Sequence, residues 1–150
     1  MILIAYDGSD NAKAAIEAAG KLFPGSEAVV LSVWQRFVDT MARSGAMAGV
    51  IVDYDAIDEA AEAGAKESAG EGMRLALQAG LQATAEATDA RTTVGEAIIA
   101  KAHEDHASAI VMGTRGLTGI KSALLGSVSG AVLHHSGLPV IIVPPHRHKD

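Results

Sequence analysis

Short aliphatic runs alternate with longer helical stretches along the whole chain, and this alternation constrains the fold more than any other feature of the sequence. Ile2 to Tyr6, Glu27 to Trp34, Ser108 to Gly113 and Leu138 to Val143 are runs of Ile, Val and Leu, the signature of strands covered on both faces. A fifth run, Leu81 to Thr88, alternates polar with small apolar residues and is expected to be a half-buried strand at the sheet edge. Parallel strands need a long crossover between them, so helices in the gaps point to an α/β fold built on a parallel sheet.

Four helical stretches fill those gaps. Asn11 to Leu22 presents Ala15, Ala18, Ala19 and Leu22 on one face, with Ser9 or Asp10 as N-cap and Pro24-Gly25 as stop. Ala56 to Gly80 places Ile57, Ala61, Met73, Leu77 and Leu81 near helical spacing, and Gly64, Gly70 and Gly72 predict a bent or interrupted helix. Glu96 to His106 turns Ile98, Ile99 and Ala102 inward, and Val128 to His135 turns Val128, Ala131 and Val132 inward. The connection from Gln35 to Val52 mixes apolar residues with Ser44, Gly45 and Gly49 and reads as a mobile loop. No repeat, linker or charge block divides the chain, so residues 1–150 are expected to form one domain, with 144–150 as a flexible tail.

Bulk properties exclude several function classes. The chain is 49% hydrophobic and 20% charged, with a formal net charge of −6 and its charges interspersed. No basic stripe is available for a nucleic-acid backbone or an anionic membrane surface. The absence of cysteine removes disulfides, thiolate zinc sites and thiol nucleophiles together. No segment reads as a membrane span or export signal, and a cytoplasmic location is the expectation. The six histidines do not suggest a metal: His103/His106 and His134/His135 lack the i, i+4 spacing that turns two imidazoles toward one ion.

The segment richest in information is Ile110-Val111-Met112-Gly113-Thr114-Arg115-Gly116, followed by Leu117 to Leu125 and then Gly126-Ser127-Val128-Ser129. A buried strand ends in a glycine turn, and a second glycine with two serines opens a helix. Glycines let an anion approach the backbone, and the first-turn amides of a helix favour negative charge. Ser127 and Ser129 are expected to add hydroxyl donors. Arg115 and Lys121 read equally well as solvated side chains.

The string Gly113-x-x-Gly116, nine residues, Gly126-Ser127 resembles the ATP-binding signature of universal stress proteins. The likeness extends through Ile4-Ala5-Tyr6-Asp7-Gly8-Ser9, Leu31-Ser32-Val33 and Pro139 to Val143, and lapses over roughly 35 to 80. It implies an open five-stranded parallel sheet in the order 3-2-1-4-5 with helices on both faces, an adenine nucleotide alpha hydrolase-like fold. ATP, with or without Mg²⁺, would lie above the gap between strands one and four, where ligands sit in doubly wound sheets. Asp7 would face the ribose or adenine, and Val33 would offer its backbone to adenine. Gly113, Arg115 and Gly116 would line the ribose and phosphate path, and Gly126, Ser127, Val128 and Ser129 would hold the phosphate tail. For Asp7, nucleotide contact and capping of the first helix both stand.

Rival classes lack their own residues. A P-loop needs glycine where Ile120 precedes Lys121-Ser122, and a dinucleotide fold needs more than Gly8 after the first strand. Gly126-Ser127-Val128-Ser129-Gly130 is not the Gly-x-Ser-x-Gly elbow of a catalytic serine. A receiver-like regulatory domain would use Asp7, Asp89 and Thr114, but needs a second acid after strand one and a lysine after strand five, where Tyr6-Asp7 and Val143-Pro144 stand. The expected function is therefore ATP binding in a stress-response sensing or regulatory role, with slow hydrolysis at most and no catalytic residue. The alternative is a dimeric interaction module that binds no nucleotide. The apolar edge strand Leu138 to Val143 is expected to pair a homodimer.

Overall fold

The computed structural model describes residues 1–45, 53–115 and 125–146. Its five strands, β1 (Ile2–Ala5), β2 (Glu27–Gln35), β3 (Gln82–Ala90), β4 (Ile110–Gly113) and β5 (Val140–Val143), form one parallel sheet in the order β3-β2-β1-β4-β5. The helices are α1 (Asp10–Leu22), α2 (Phe37–Ser44), α3 (Tyr54–Gln78), α4 (Val94–Glu104) and α5 (Ser127–His135). The order and the parallel pairing are those expected from the sequence.

Successive strand residues point to opposite faces, and the sheet accordingly has a core on each side. Ile2, Ile4, Tyr6, Ala28, Val30 and Val111 meet α1 and α3 through Ala12, Ala15, Ile16, Ala19 and Ala76. Leu3, Leu31, Ile110 and Met112 meet α4 and α5 through Ile98, Ala102 and Val132. Ile99 and Val128 pack against that second cluster, so the inward faces expected for α4 and α5 are the ones found.

The faces of the first and third helices differ from expectation, for one shared reason. Leu22 is 59% and Leu77 49% exposed, whereas α3 buries Ala65, Ala69, Gly72 and Ala76. Those four residues form a stripe at helical spacing, and their small size lets the helix lie close to the sheet. A Cβ on Gly72 would sit 2.7 Å from Val30 Cγ1 and 2.9 Å from the Tyr6 ring. The glycine therefore serves packing, and of the bent or interrupted helix that was expected the interruption is absent: α3 runs unbroken from Tyr54 to Gln78. Packing on the sheet outweighs the roughly 1 kcal/mol that glycine costs a helix.

The expected loop at Gln35 to Val52 is also corrected. Residues Phe37–Ser44 form α2, which ends at Gly45 in the left-handed conformation that glycine adopts without penalty; residues 46–52 lie outside the described residues. This helix buries no side chain. It hangs on three contacts: the Phe37 amide donates to Asp58 Oδ1 at 2.8 Å, Arg36 pairs with Asp89 at 3.4 Å, and the Phe37 and Tyr54 rings lie 5.7 Å apart. Edge strand β3 is tied to α4 by Lys101, whose Nζ lies 2.7 Å from Glu86 and 2.9 Å from Asp105. The hydrogen bond that Lys101 donates to Glu86, followed by the one it donates to Asp105, pushes its ammonium above its ordinary pKa.

Of the tail, Pro144 to His146 is described, and His146 lies 3.2 Å from Glu17 on α1; 147–150 lies outside the described residues. Gly72→Ala tests the packing of α3. The added methyl should force that helix off the sheet and cost about 1–3 kcal/mol, read as a lower midpoint in urea. Gly64→Ala, with open space around its Cβ position, should stabilise the chain by up to about 1 kcal/mol.

Candidate functional site

The connections reverse direction between β1 and β4, so a crevice opens at the carboxyl ends of these neighbours. Asp7 stands just past β1. It is exposed, and its Oδ1 accepts the Ser9 amide at 3.0 Å. Capping of α1 falls to Ser9, whose Oγ accepts the Ala12 amide at 3.2 Å. Asp7 therefore shapes the turn before the helix and does not cap the helix itself.

Val33 lies near the end of β2 and packs on the α4/α5 side. The Leu31 carbonyl faces β1, accepting the Tyr6 amide at 2.9 Å. Peptide groups two residues apart in a strand share a flank, so the amide and carbonyl of Val33 face the same way, beyond the last β1–β2 pair, Ala5 with Leu31.

Gly113 closes β4 and is fully buried. A Cβ there would come within 2.8 to 2.9 Å of Asn11, so this glycine lets the first turn of α1 rest on the end of β4. Asn11 then reaches across, its Nδ2 donating to the Arg115 carbonyl at 3.3 Å. Arg115 is half-buried. Gly116, and the segment 117–124 that includes Lys121, lie outside the described residues.

Thr114 joins the two glycine turns. Its amide donates to the Val143 carbonyl at 3.1 Å, and its own carbonyl accepts the Gly126 amide at 2.8 Å and the Ser129 hydroxyl at 2.9 Å. Ser129 is buried, and its hydroxyl also lies 3.1 Å from the Gly126 carbonyl. That hydroxyl is committed inside the protein, unlike the outward donor expected from the sequence; what Ser129 can offer outward is its amide. Ser127 is exposed at the first position of α5, and Val128 roots the turn in the core. Among the described residues, the Thr114 hydroxyl is buried without a hydrogen-bond partner.

Two helix starts meet here because Gly95 is small. A Cβ on Gly95 would sit 3.1 Å from the Ala131 methyl, so the start of α4 packs directly on α5. Their ends differ electrically. α1, α3 and α4 each have a capping side chain (Ser9, Asp53, Thr93) and an acid in the first turn (Asp10, Asp55, Glu96). α5 opens on Gly126 with no side-chain cap and no acid. Its first amides have no acceptor within the helix, and among the described residues no capping side chain or first-turn acid offsets the positive end of its dipole.

Sequence reasoning missed Asn11, Gly95, Thr114 and Ser32, which hold the site residues from behind. Thr114 stood inside the glycine string, and Gly95 fell just before the helix expected from Glu96. Among the described residues, no cluster of three or more metal-ligating side chains occurs, and no helix is long and apolar enough to cross a membrane.

A sequence model of the universal stress protein family matches residues 1–144. The chain is 32% identical over 148 residues to universal stress protein YxiE of Bacillus subtilis, covering 95% of this chain and 97% of that protein. Among solved structures it is similar to hypothetical protein MJ0577, with a TM-score of 0.78 at 21% identity over 98% of this chain and 96% of the other. It is also similar to a universal stress protein in complex with cAMP, with a TM-score of 0.61 at 23% identity over 97% and 96% of the two chains. The Archaeoglobus fulgidus universal stress protein in complex with dAMP gives 0.60 at 22% identity over 95% of each.

Ser129→Ala should cost about 1–2 kcal/mol by removing one of the two bonds to the Thr114 carbonyl, whereas Ser127→Ala, at an exposed position, should change stability by less than about 0.5 kcal/mol. Urea denaturation of the two variants checks the difference.

Proposed function

The chain belongs to the universal stress protein family, and on that footing we propose that it binds ATP in the crevice between β1 and β4 as a stress-response sensor or regulator. The observation that carries this reading is the start of α5, the one described helix with neither a capping side chain nor an acid in its first turn. In a chain of net charge −6, acids are kept away from the place where phosphates would lie. The buried, unpartnered hydroxyl of Thr114 beside it supplies a further polar group. The complexes of related proteins with cAMP and dAMP support an adenine nucleotide as the ligand class.

In this reading the amides of Ser127, Val128 and Ser129 take the phosphate tail, with Gly126 allowing close approach. Gly113, Arg115 and Gly116 flank the ribose and the first phosphates, Asp7 meets the ribose or adenine edge, and the Val33 backbone meets adenine. Any Mg²⁺ arrives on the phosphate oxygens with its waters, as is usual for that ion. The phosphate end is built of glycine, serine and valine, which bind without activating water, so hydrolysis is slow at most. The protein acts in the cytoplasm by adopting a nucleotide-dependent state, and it pairs as a homodimer through β5. Among the described residues that strand has one neighbour in the sheet, β4, and stands at its edge, the kind of position proteins cover.

Calorimetry with ATP tests the site. The unaltered chain should bind and Gly126→Glu, which sets a carboxylate at the start of α5, should not. A Cβ at Gly126 lies 3.0 Å from the Thr114 carbonyl, so Gly126→Ala serves as the steric control and should retain more affinity than the glutamate variant. Equal binding by the glutamate variant and the unaltered chain would reject the reading. Sedimentation at micromolar concentration should give a mass of two chains, and monomer alone would reject the dimer.

A further inference from the structure

Ser32 is a buried hydroxyl in a strand whose neighbours are Val30, Leu31 and Val33. A hydroxyl there costs stability unless it is bonded, and an apolar residue would suit the core better. Its bond is to one atom: Ser32 Oγ donates to the Tyr6 carbonyl at 2.7 Å. That carbonyl belongs to the peptide joining Tyr6 to Asp7, just beyond the last β1–β2 pair. A side chain thus holds β1 at the point where strand pairing has ended.

Three more contacts immobilise Tyr6. Its amide donates to the Leu31 carbonyl at 2.9 Å, its ring lies against Gly72, and its hydroxyl donates to Glu71 Oε1 at 3.0 Å. Lys13 Nζ lies 3.4 Å from the same Glu71 oxygen. The Tyr6 hydrogen bond, assisted by Lys13 and Arg74 and opposed by burial, holds the Glu71 carboxyl below its ordinary pKa. Burial first, and Glu71 second, push the Tyr6 phenol upward, so it remains a donor. On the other side of the peptide, Asp7 is pinned by the Ser9 amide.

From this geometry we infer that Ser32, backed by the Tyr6–Glu71 bond, is a positioning residue that fixes the Tyr6–Asp7 peptide and so presents the Asp7 carboxylate to the nucleotide. The inference rests on the reading that ATP binds and touches Asp7. With its backbone held on both sides, Asp7 enters the complex without paying for its own ordering, and that saving appears as affinity.

A double-mutant cycle on ATP affinity tests it, using the full chain and the variants Ser32→Ala, Asp7→Ala and the pair, with Tyr6→Phe as a second probe that keeps the ring and the fold. Ser32→Ala should weaken ATP binding about tenfold, and Tyr6→Phe about two- to threefold. In the Asp7→Ala background both effects should vanish, because there is no carboxylate left to position. A purely structural role would give the same loss in both backgrounds, and that result, or unchanged affinity in both Ser32→Ala and Tyr6→Phe, overturns the inference while ATP binding stands. An unaltered chain that does not bind ATP, or an Asp7→Ala variant that binds it as tightly, overturns the underlying reading and the inference with it.

Discussion

The start of α5 points into the crevice because a single acceptor, the Thr114 carbonyl, takes both the Gly126 amide and the Ser129 hydroxyl. Those two bonds join the end of β4 to the helix that returns to β5. Without them the end of β4 would meet α5 at no fixed angle, and the amides of its first turn would have no defined direction. An anion held by those amides would depend on that junction. Thr114 is in turn tied to Val143 through its amide, so the junction inherits the rigidity of the sheet.

A second constraint is thinness. With aromatics at only 3%, the core is filled by short side chains, and helices must approach the sheet closely to leave no voids. The glycines show where this approach is tightest: Gly20 faces the Ala79 carbonyl at 2.5 Å from its would-be Cβ, Gly72 faces Val30 and Tyr6, and Gly113 faces Asn11. Gly113 is instructive, because a motif glycine that invites a phosphate reading also has a packing task. The two roles are compatible, since the contact that seats α1 on β4 lies at the carboxyl end of that strand.

Aliphatic runs and their spacing made the strands legible in the sequence, and the glycine string marked the end of β4 and the start of α5. Helix faces were less legible. Ala65, Ala69, Gly72 and Ala76 bury little area each and score poorly as a hydrophobic stripe, while Leu77 draws attention and proves half exposed. α2 was invisible for a related reason: it buries nothing, so no periodicity had to mark it. Ser32 and Asn11 escaped because their partners, the Tyr6 and Arg115 carbonyls, are backbone atoms distant in sequence. Polar residues that serve backbone leave no pattern.

The independence of α2 from both cores bears on how this scaffold can change. Neither hydrophobic cluster includes a residue of α2, so the described cores do not rest on this helix, and lengthening such a connection costs little closure entropy. Substitutions, insertions or replacement of this helix are thus nearly free of folding penalty. It begins two residues after Gln35, the last residue of β2, and so close in the chain to Val33 that drift in this one segment can remodel the surroundings of that strand end while the rest of the architecture is kept.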